Sequence, residues 1–344
     1  MFLAIKEIKK EKMRFLMVIA VTALVAYLVY FLSGLAYGLA RSNTTSLDFL
    51  KQKHIVLSDA SNKNIYASNI KDEKLIENYN NFTLTSSVVS LNETSDNFDL
   101  IMMGLSDIEN LDAYTLLEGQ DPSNDGEVVV SESLLKNLEL NIGDELVIAD
   151  NDNTLVVVGI TKEADYNTKP VAFMTQTTLG NTLYGGSQRV SALVTDKSTF
   201  TKENLVVLNY DDFISYIPGY QAQVLTFGMM ILSLVLIAAI VIAIFMFIIT
   251  MQKKSIFGVL KVQGFTNGYI GKSVIYQTLL VTVVGVVVGF VLTLITFYFL
   301  PNTVPVKINS LLYGIVSALT LGCSLIGALF SAKTILKIDP LDAI

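Results

Sequence analysis

Four stretches of this 344-residue chain carry no charged side chain: residues 15–40, 213–252, 273–306 and 308–332. A helix rises 1.5 Å per residue, so about 20 apolar residues span the hydrocarbon core of a bilayer. Each stretch is long enough for one crossing. The second could hold two, but Tyr216, Pro218, Gly219 and Tyr220 read as interfacial and leave one helix over about 222–250. The first ends in the small residues GLAYGLA before Arg41, as a secretory signal would, yet its 26 residues exceed the roughly 7–15 of a signal's apolar core. It reads as a retained anchor. The expected fold class is a membrane protein with four transmembrane α-helices (15–40, 222–250, 273–300, 310–332) and a large extracytoplasmic α+β domain between helices 1 and 2.

Basic residues in the short segments set the orientation. Lys6, Lys9, Lys10, Lys12 and Arg14 precede the first span; Lys253, Lys254, Lys261 and Lys272 lie between spans two and three with no acid; Lys333 and Lys337 follow span four. These three segments (1–14, 251–272, 333–344) are expected in the cytoplasm, giving a multi-pass protein of the cell membrane with both termini inside. Residues 41–215 and the short loop 301–309 then face outward. Between 41 and 212 there are 27 acidic against 12 basic residues, while the whole chain carries −7. An acidic exterior argues against nucleic acid as a partner. The single cysteine, Cys323, lies within span four, so no intrachain disulfide can brace the outer domain.

From about 86 to 208 the chain reads as short β-rich runs between turn residues: DLIMMGL, GEVVVSE, DELVIAD, NTLVVVGI, KPVAFM, RVSALVT and NLVVLN. Between them SESLLKNLEL places Leu134, Leu135, Leu138 and Leu140 at helical spacing behind Ser131 as cap. Residues 41–82 carry polar residues among the isolated apolar positions Leu47, Leu50, Ile55 and Leu57; their first part reads as a stalk prolonging the first span, with the lone His54 as a surface residue. One histidine allows no HExxH, GxSxG is missing, and the acids scatter through turns. No catalytic residue and no metal ligand set is expected; a docking or spacer role for the outer domain stands beside a catalytic one.

Gly271-Lys272-Ser273 ends like a phosphate-binding loop, but the glycine such a loop needs five positions earlier is Thr266, and an apolar span follows where the pattern needs a strand before. Before it, residues 253–264 have helical spacing and basic charge, and Gly264 suits a helix end. The N-terminal FLAIKEIKKEKMRF alternates Phe2, Ile5 and Ile8 with lysines, an interfacial helix with its basic side on lipid headgroups. In span one Tyr27, Tyr30, Phe31, Gly34, Tyr37 and Gly38 recur at steps of three and four. Gly34 and Gly38 form a GxxxG that permits close helix approach. Such aromatics serve either lipid-facing packing or a binding wall. Gly285 and Gly289 in span three and Gly314, Gly322 and Gly327 in span four are expected to pack spans within the subunit. The spans hold no acid for a proton relay, which argues against a proton-driven carrier.

The order of parts, one span, a large outer domain, then three spans with the link KKSIFGVLKVQGFTNGYI, resembles the FtsX/MacB-type permeases of ABC transporters, as do EGQDPSNDGEVVVSESLLKNLELNIGDEL outside and the ending AKTILKIDPLDAI. The opening MFLAIKEIKKEKMRFL and the span ending FLSGLAYGLA are most similar to the HrtB-type haem exporters of that family. The resemblance implies a permease homodimer without a nucleotide site of its own, served by two separate cytoplasmic ATPase subunits that bind ATP, and haem as transported ligand. It makes 251–272 a cytoplasmic coupling helix: Ile256, Val259, Leu260 and Gln263 share a face, with Phe257, Lys261 and the Gly264 stop beside them. The other reading of the lysines there is topology and headgroup contact alone. Gly34 and Gly38 become a dimer seam. Haem is a flat apolar ring whose iron accepts tyrosine or methionine; Tyr27, Tyr30, Phe31 and Tyr37, with Tyr216, Tyr220, Met229 and Met230 and the outer Tyr166, are the candidate contacts, although interfacial tyrosines also serve as belt anchors. The alternatives are a permease that transmits force to an outer partner, an exporter of another hydrophobic substrate (lipid, peptide, antimicrobial), and an envelope anchor that uses no ATP.

Overall fold

The computed structural model describes residues 2–91, 97–135, 140–151, 153–200, 202–301 and 304–336. Leu138 of the expected outer helix and most of the terminal AKTILKIDPLDAI, from Lys337 on, lie outside them. The chain forms two compact units, Met1–Gly38 with Leu225–Ile344, and Leu39–Val224. It starts with helix α1 (Phe2–Lys10) and, after a break at Glu11, helix α2 (Lys12–Ser42). Past α2, Arg41 grips Asp48 with both guanidinium nitrogens (3.0 and 2.6 Å), and Lys51 adds a third contact at 3.0 Å. Burial pushes the Asp48 carboxyl up, but these two cations outweigh it and hold it below the usual range.

The second unit is built on β1 (His54–Ser58), α3 (Glu73–Asn78), β2 (Asn81–Leu91), β3 (Asn97–Leu105), α4 (Ile108–Leu111), β4 (Leu116–Gly119), β5 (Glu127–Ser131), α5 (Glu132–Leu135), β6 (Glu145–Ile148), β7 (Thr154–Thr161), β8 (Asp165–Tyr166), β9 (Lys169–Thr175), α6 (Gln176–Tyr184), β10 (Ala192–Thr195), β11 (Leu205–Asn209) and α7 (Tyr210–Ser215). Strand order is β11-β1-β10-β2-β3-β9-β5-β7-β4, and β6 pairs with both β2 and β7. That double pairing closes β2, β3, β9, β5, β7 and β6 into a ring. Alternation of side chains across a strand then fills two cores. Leu100, Met102, Val128, Val130, Leu146, Leu155, Ala172 and Met174 form one cluster, drawn from every strand of the ring except β2, which adds Val89. Ile101, Met103, Val129, Val171 and Phe173, the alternate positions, form the other together with Phe82 and Leu84. Four of the short helices start at Asp72, Asp107, Thr175 and Asn209, whose side chains each accept a hydrogen bond from the third helical N–H, the pattern that favours these residue types at helix starts.

All seven β-rich runs are strands, and Ser131 Oγ accepts from the Ser133 N–H at the start of α5. The stalk expectation for the first part of 41–82 fails. Leu47, Leu50, Ile55 and Leu57 are fully buried in the second core, because a 3₁₀ turn at Thr45–Leu50 and strand β1, inserted between β10 and β11, turn scattered apolar residues onto one face.

In the first unit α8 (Tyr220–Gln252), α9 (Lys254–Val262), α10 (Asn267–Phe299) and α11 (Ser310–Leu336) follow. Among the described residues four helices are long and apolar enough to cross a membrane: Lys12–Ser42, Tyr220–Gln252, Asn267–Phe299 and Ser310–Leu329. Phe15 and Val18 of α2, Ile242 to Ile249 of α8, Phe257 of α9 and Ile270 to Val281 of α10 cluster at one end. Ala26, Val29 and Tyr30 meet Val235, Val286, Tyr313 and Val316 towards the other. Thus α2 and α10 run in one direction and α8 and α11 return.

Glu127 holds the loop that leads into β5. Its carboxylate accepts from the Ser123 and Asn124 backbone N–H groups (2.8 and 2.9 Å) and from Asn124 Nδ2 (2.7 Å). The Asn124 side chain, then the two backbone donors, lower its pKa from 4.5 to about 2. A depressed carboxyl stabilises the fold above its unfolded value and loses that contribution as pH falls through the folded one. Glu127→Gln is therefore expected to lower the thermal unfolding midpoint at pH 7, with the gap to wild type closing between about pH 4.5 and about pH 2; a gap constant over that window in scanning calorimetry would refute the clasp.

Candidate functional site

The elbow between α8 and α10 offers one apolar surface outward. Phe257 (1% exposed) and Gly258 pack inward, and Leu260 joins the same cluster half-buried. Ile256, Val259 and Val262 remain 49%, 47% and 60% exposed. A nine-residue helix cannot bury both faces against one bundle, so the sequence spacing resolves into two stripes. Leu260 belongs to the inner one, not to the face shared with Ile256, Val259 and Gln263. Lys261 is half-buried and Gln263 exposed. Gly264 ends the helix at φ +88, a left-handed geometry that glycine adopts without strain, while the Phe265 N–H reaches back to Leu260 O (3.1 Å). Thr266 then caps α10 by accepting from the Tyr269 N–H (3.3 Å). Phe265 and Tyr269, exposed and with ring centroids 5.5 Å apart, extend the outward surface. Sequence reasoning passed over Val262, Phe265 and Tyr269; three apolar residues on a basic, turn-rich elbow were the available signal. Gly271-Lys272-Ser273 falls inside α10, where the backbone N–H groups that would cradle a phosphate are engaged in the helix.

The aromatic residues of span one divide sharply. Tyr30 is 3% exposed and stacks on Tyr313 (centroids 5.2 Å, 11° between planes), with Phe290 edge-on at 5.6 Å. Its hydroxyl shares a 2.5 Å hydrogen bond with Ser317 Oγ, and Tyr313 Oη donates to Tyr30 O at 3.0 Å. Every polar atom of that pair is occupied by the bundle, so Tyr30 packs helices and is removed from the ligand candidates. Tyr27, Phe31 and Tyr37 stay half-buried on α2. Phe31 lies 6.1 Å from the Tyr27 ring and 5.9 Å from Phe297, and Thr296 Oγ1 donates to Tyr27 Oη at 3.3 Å. On α8 Met229 and Met230 are 63% and 47% exposed.

Three further expectations change. Tyr166 is 1% exposed inside the outer core, edge-on to Tyr66, and burial drives its hydroxyl pKa up; it has no surface to offer a ligand. Tyr216 is exposed but accepts from Lys63 Nζ (2.7 Å), and Tyr220 packs half-buried against the outer core. The third concerns the GxxxG of span one. A Cβ on Gly34 would stand 2.5 Å from Phe297 and Tyr313, and one on Gly38 would stand 1.7 Å from Pro305 O. Lys307 N–H donates to Gly34 O at 3.1 Å. The glycine face is filled by the subunit's own α10, α11 and 304–307 segment, so it is no free seam for a second copy. Gly285, Gly289 and Gly327 do pack spans together, on Thr22, Ala23, Ala26 and Ala243, whereas Gly314 and Gly322 face open space.

An elbow with an outward apolar stripe, four spanning helices and a sheet-rich domain between the first two define a multi-pass membrane protein. Residues 15–207 match the MacB-like periplasmic core domain and residues 228–340 the FtsX-like permease C-terminal domain. Proteins assigned by name as "hemin transport system permease protein HrtB" from Staphylococcus epidermidis and Staphylococcus haemolyticus are each 30% identical over 100% of this chain and 99% of their own length. This chain belongs to the FtsX/MacB family of ABC-transporter permeases. The extracellular domain of the noncanonic ABC-type transporter YknZ from Gram-positive bacteria is a distant likeness, at a TM-score of 0.35 and 11% identity over 46% of this chain and 100% of that one.

Because Gly34 and Gly38 pack within the subunit, Gly38→Val is expected to destabilise the isolated permease by about 1–3 kcal/mol or more, the cost of overpacking. Its melting temperature in detergent should fall equally at low and high protein concentration. A loss that appears only on dilution would restore the seam.

Proposed function

We propose that this chain is the permease subunit of a haem exporter, a homodimer driven by two separate cytoplasmic ATPase subunits, with both termini and α9 on the cytoplasmic side. The observation that carries the haem reading is the collinear 30% identity, end to end, with permeases named for hemin transport. Orientation rests on the lysine-rich segments around α1 and α9. The driving contact is the stripe Ile256, Val259 and Val262, which lies in a groove of the ATPase as an amphipathic helix does. Phe257 and Leu260, seated in the bundle, carry the push into α2, α8 and α10.

A carrier must hold haem weakly enough to release it. Met229 and Met230 offer soft thioether ligands, and Tyr27, Phe31 and Tyr37 an aromatic wall for the macrocycle. Nucleotide binding closes the two ATPases, the elbows move together, and the spans shift to expel the ligand outward. The membrane supplies haem laterally, and lipid covers the remaining apolar helix faces.

Val259→Asp is the cleanest test of the driving contact, since Val259 is exposed where Leu260 is not. It is expected to abolish copurification of the ATPase and haem tolerance of cells while membrane insertion stays normal. Retained ATPase capture would overturn the coupling role. For the ligand, Met229→Ala with Met230→Ala is expected to weaken haem binding at least about tenfold, the effect of roughly 1.4 kcal/mol, in a titration followed at the Soret band. An unchanged titration would remove the methionines.

A further inference from the structure

Beneath the elbow lies a buried ionic cluster that the outward stripe does not require. Lys253, between α8 and α9, is 3% exposed, and its Nζ makes no hydrogen bond among the described residues. Glu7 Oε2 of α1 stands 3.6 Å away and Glu11 Oε2, one helical turn on, 3.9 Å away; the Phe15 ring centroid is at 5.3 Å. Gln277 of α10, 1% exposed, donates from Nε2 to the same Glu7 oxygen and to Ser273 Oγ at 3.3 Å. Arg14 Nη1 completes Glu11 at 3.2 Å. Everything here belongs to the helical unit.

A buried ammonium is costly unless opposite charge lies close. Two carboxylates supply it at 3.6 and 3.9 Å, both just beyond hydrogen-bond length, so the pairing is ionic and its geometry is not locked by a hydrogen bond. Lys253 is the residue immediately before α9, so any tilt of the elbow moves its ammonium relative to Glu7 and Glu11. Half-buried Ile8 of α1 also packs against the cluster that holds Phe257, an apolar contact that carries no charge. Among the elbow lysines Lys253 is the one with a nearly fully buried side chain. Topology alone would be served as well by an exposed lysine.

We propose that Lys253 is a positioning residue, an ionic joint through which movement of α9 is passed to α1 and so to the start of α2, with Glu7 and Glu11 as alternative acceptors one turn apart. It rests on the reading that α9 is where the ATPase acts. It adds that the N-terminal helix is part of the drive train and more than a headgroup anchor.

The test uses the full-length permease with its ATPase in lipid nanodiscs. Lys253→Met is expected to capture the ATPase as wild type does, because the outer stripe is untouched, and to lose ATP-driven haem export at least about tenfold; Lys253→Arg should restore it to within about twofold. Glu7→Gln and Glu11→Gln should each lose part, and the double variant as much as Lys253→Met. Should Lys253→Met fail to insert, the glutamine variants carry the test. A second readout needs neither haem nor ATPase: spin labels at positions 10 and 262 in a Cys323→Ala background should give one narrow distance in wild type and a broadened one in Lys253→Met. Export and distances unchanged by Lys253→Met would overturn the joint. A parallel fall of capture and export would do so too, by reducing Lys253 to a stability residue. A wild-type chain that captures no ATPase would sink the coupling reading instead, leaving the distance measurement to decide the joint.

Discussion

Helix α10 rests on the backbone of α2 because Gly285 and Gly289 carry no Cβ. A Cβ at Gly289 would stand 2.7 Å from Ala23 O and 2.8 Å from the Tyr27 nitrogen; one at Gly285 would stand 2.6 Å from the Thr22 methyl. In lipid, helix association gains nothing from excluding water and depends on such close approach. The rest of the helical unit is arranged around that seam. At one end it brings Ile270 and Val274 against Phe15 and Val18, the floor on which Phe257 of α9 is seated. At the other it sets Phe290 and Phe297 against Tyr30 and Phe31. Polar side chains along α10 are tolerated because they are satisfied locally: Thr278, Thr282 and Thr293 each donate to the carbonyl four residues back.

The outer unit solves its stability without a disulfide by letting strands serve two cores. β3 and β9, parallel neighbours, are buried on both faces, which is why DLIMMGL and KPVAFM read as continuous apolar runs instead of alternating ones. Closure of the ring through β6 leaves these central strands no open edge, and open edges invite pairing with other chains. Some of this unit's acidic residues are employed at element starts, Asp72 and Asp107 as helix caps and Glu127 as the clasp of the loop before β5.

Spans, strands and the elbow helix were legible because each depends on a local pattern: a charge-free run, a β-rich run between turn residues, a glycine after an amphipathic turn. The segment 41–82 was not legible as core, since Leu47, Leu50, Ile55 and Leu57 acquire a common face only through the 3₁₀ turn and a strand whose partners, β10 and β11, come more than a hundred residues later. Pair identity was equally hidden. GxxxG announces a close approach but not by what, and for Gly34 and Gly38 the approaching group is the subunit's own Phe297, Tyr313 and Pro305. The buried Lys253 looked like any topogenic lysine; the signal that could have singled it out was the pair Glu7 and Glu11, two acids four residues apart in an otherwise basic segment.

The same division between committed and uncommitted side chains orders the candidate ligand residues. An aromatic whose hydroxyl is already paired inside the bundle, as Tyr30 is with Ser317, would have to give up that bond to touch a passing ligand, and a buried polar group left without a partner is expensive. Met229 and Met230 owe nothing to the fold: they are exposed, apolar enough to rest in lipid, and soft enough to meet a metal. A transported ligand must be gripped and released repeatedly without remaking the bundle each time. Groups that the packing does not use are the ones that can do this, and in the proposed exporter Met229 and Met230 of α8 are such groups, while the glycine and tyrosine seams of α2, α10 and α11 hold the bundle together.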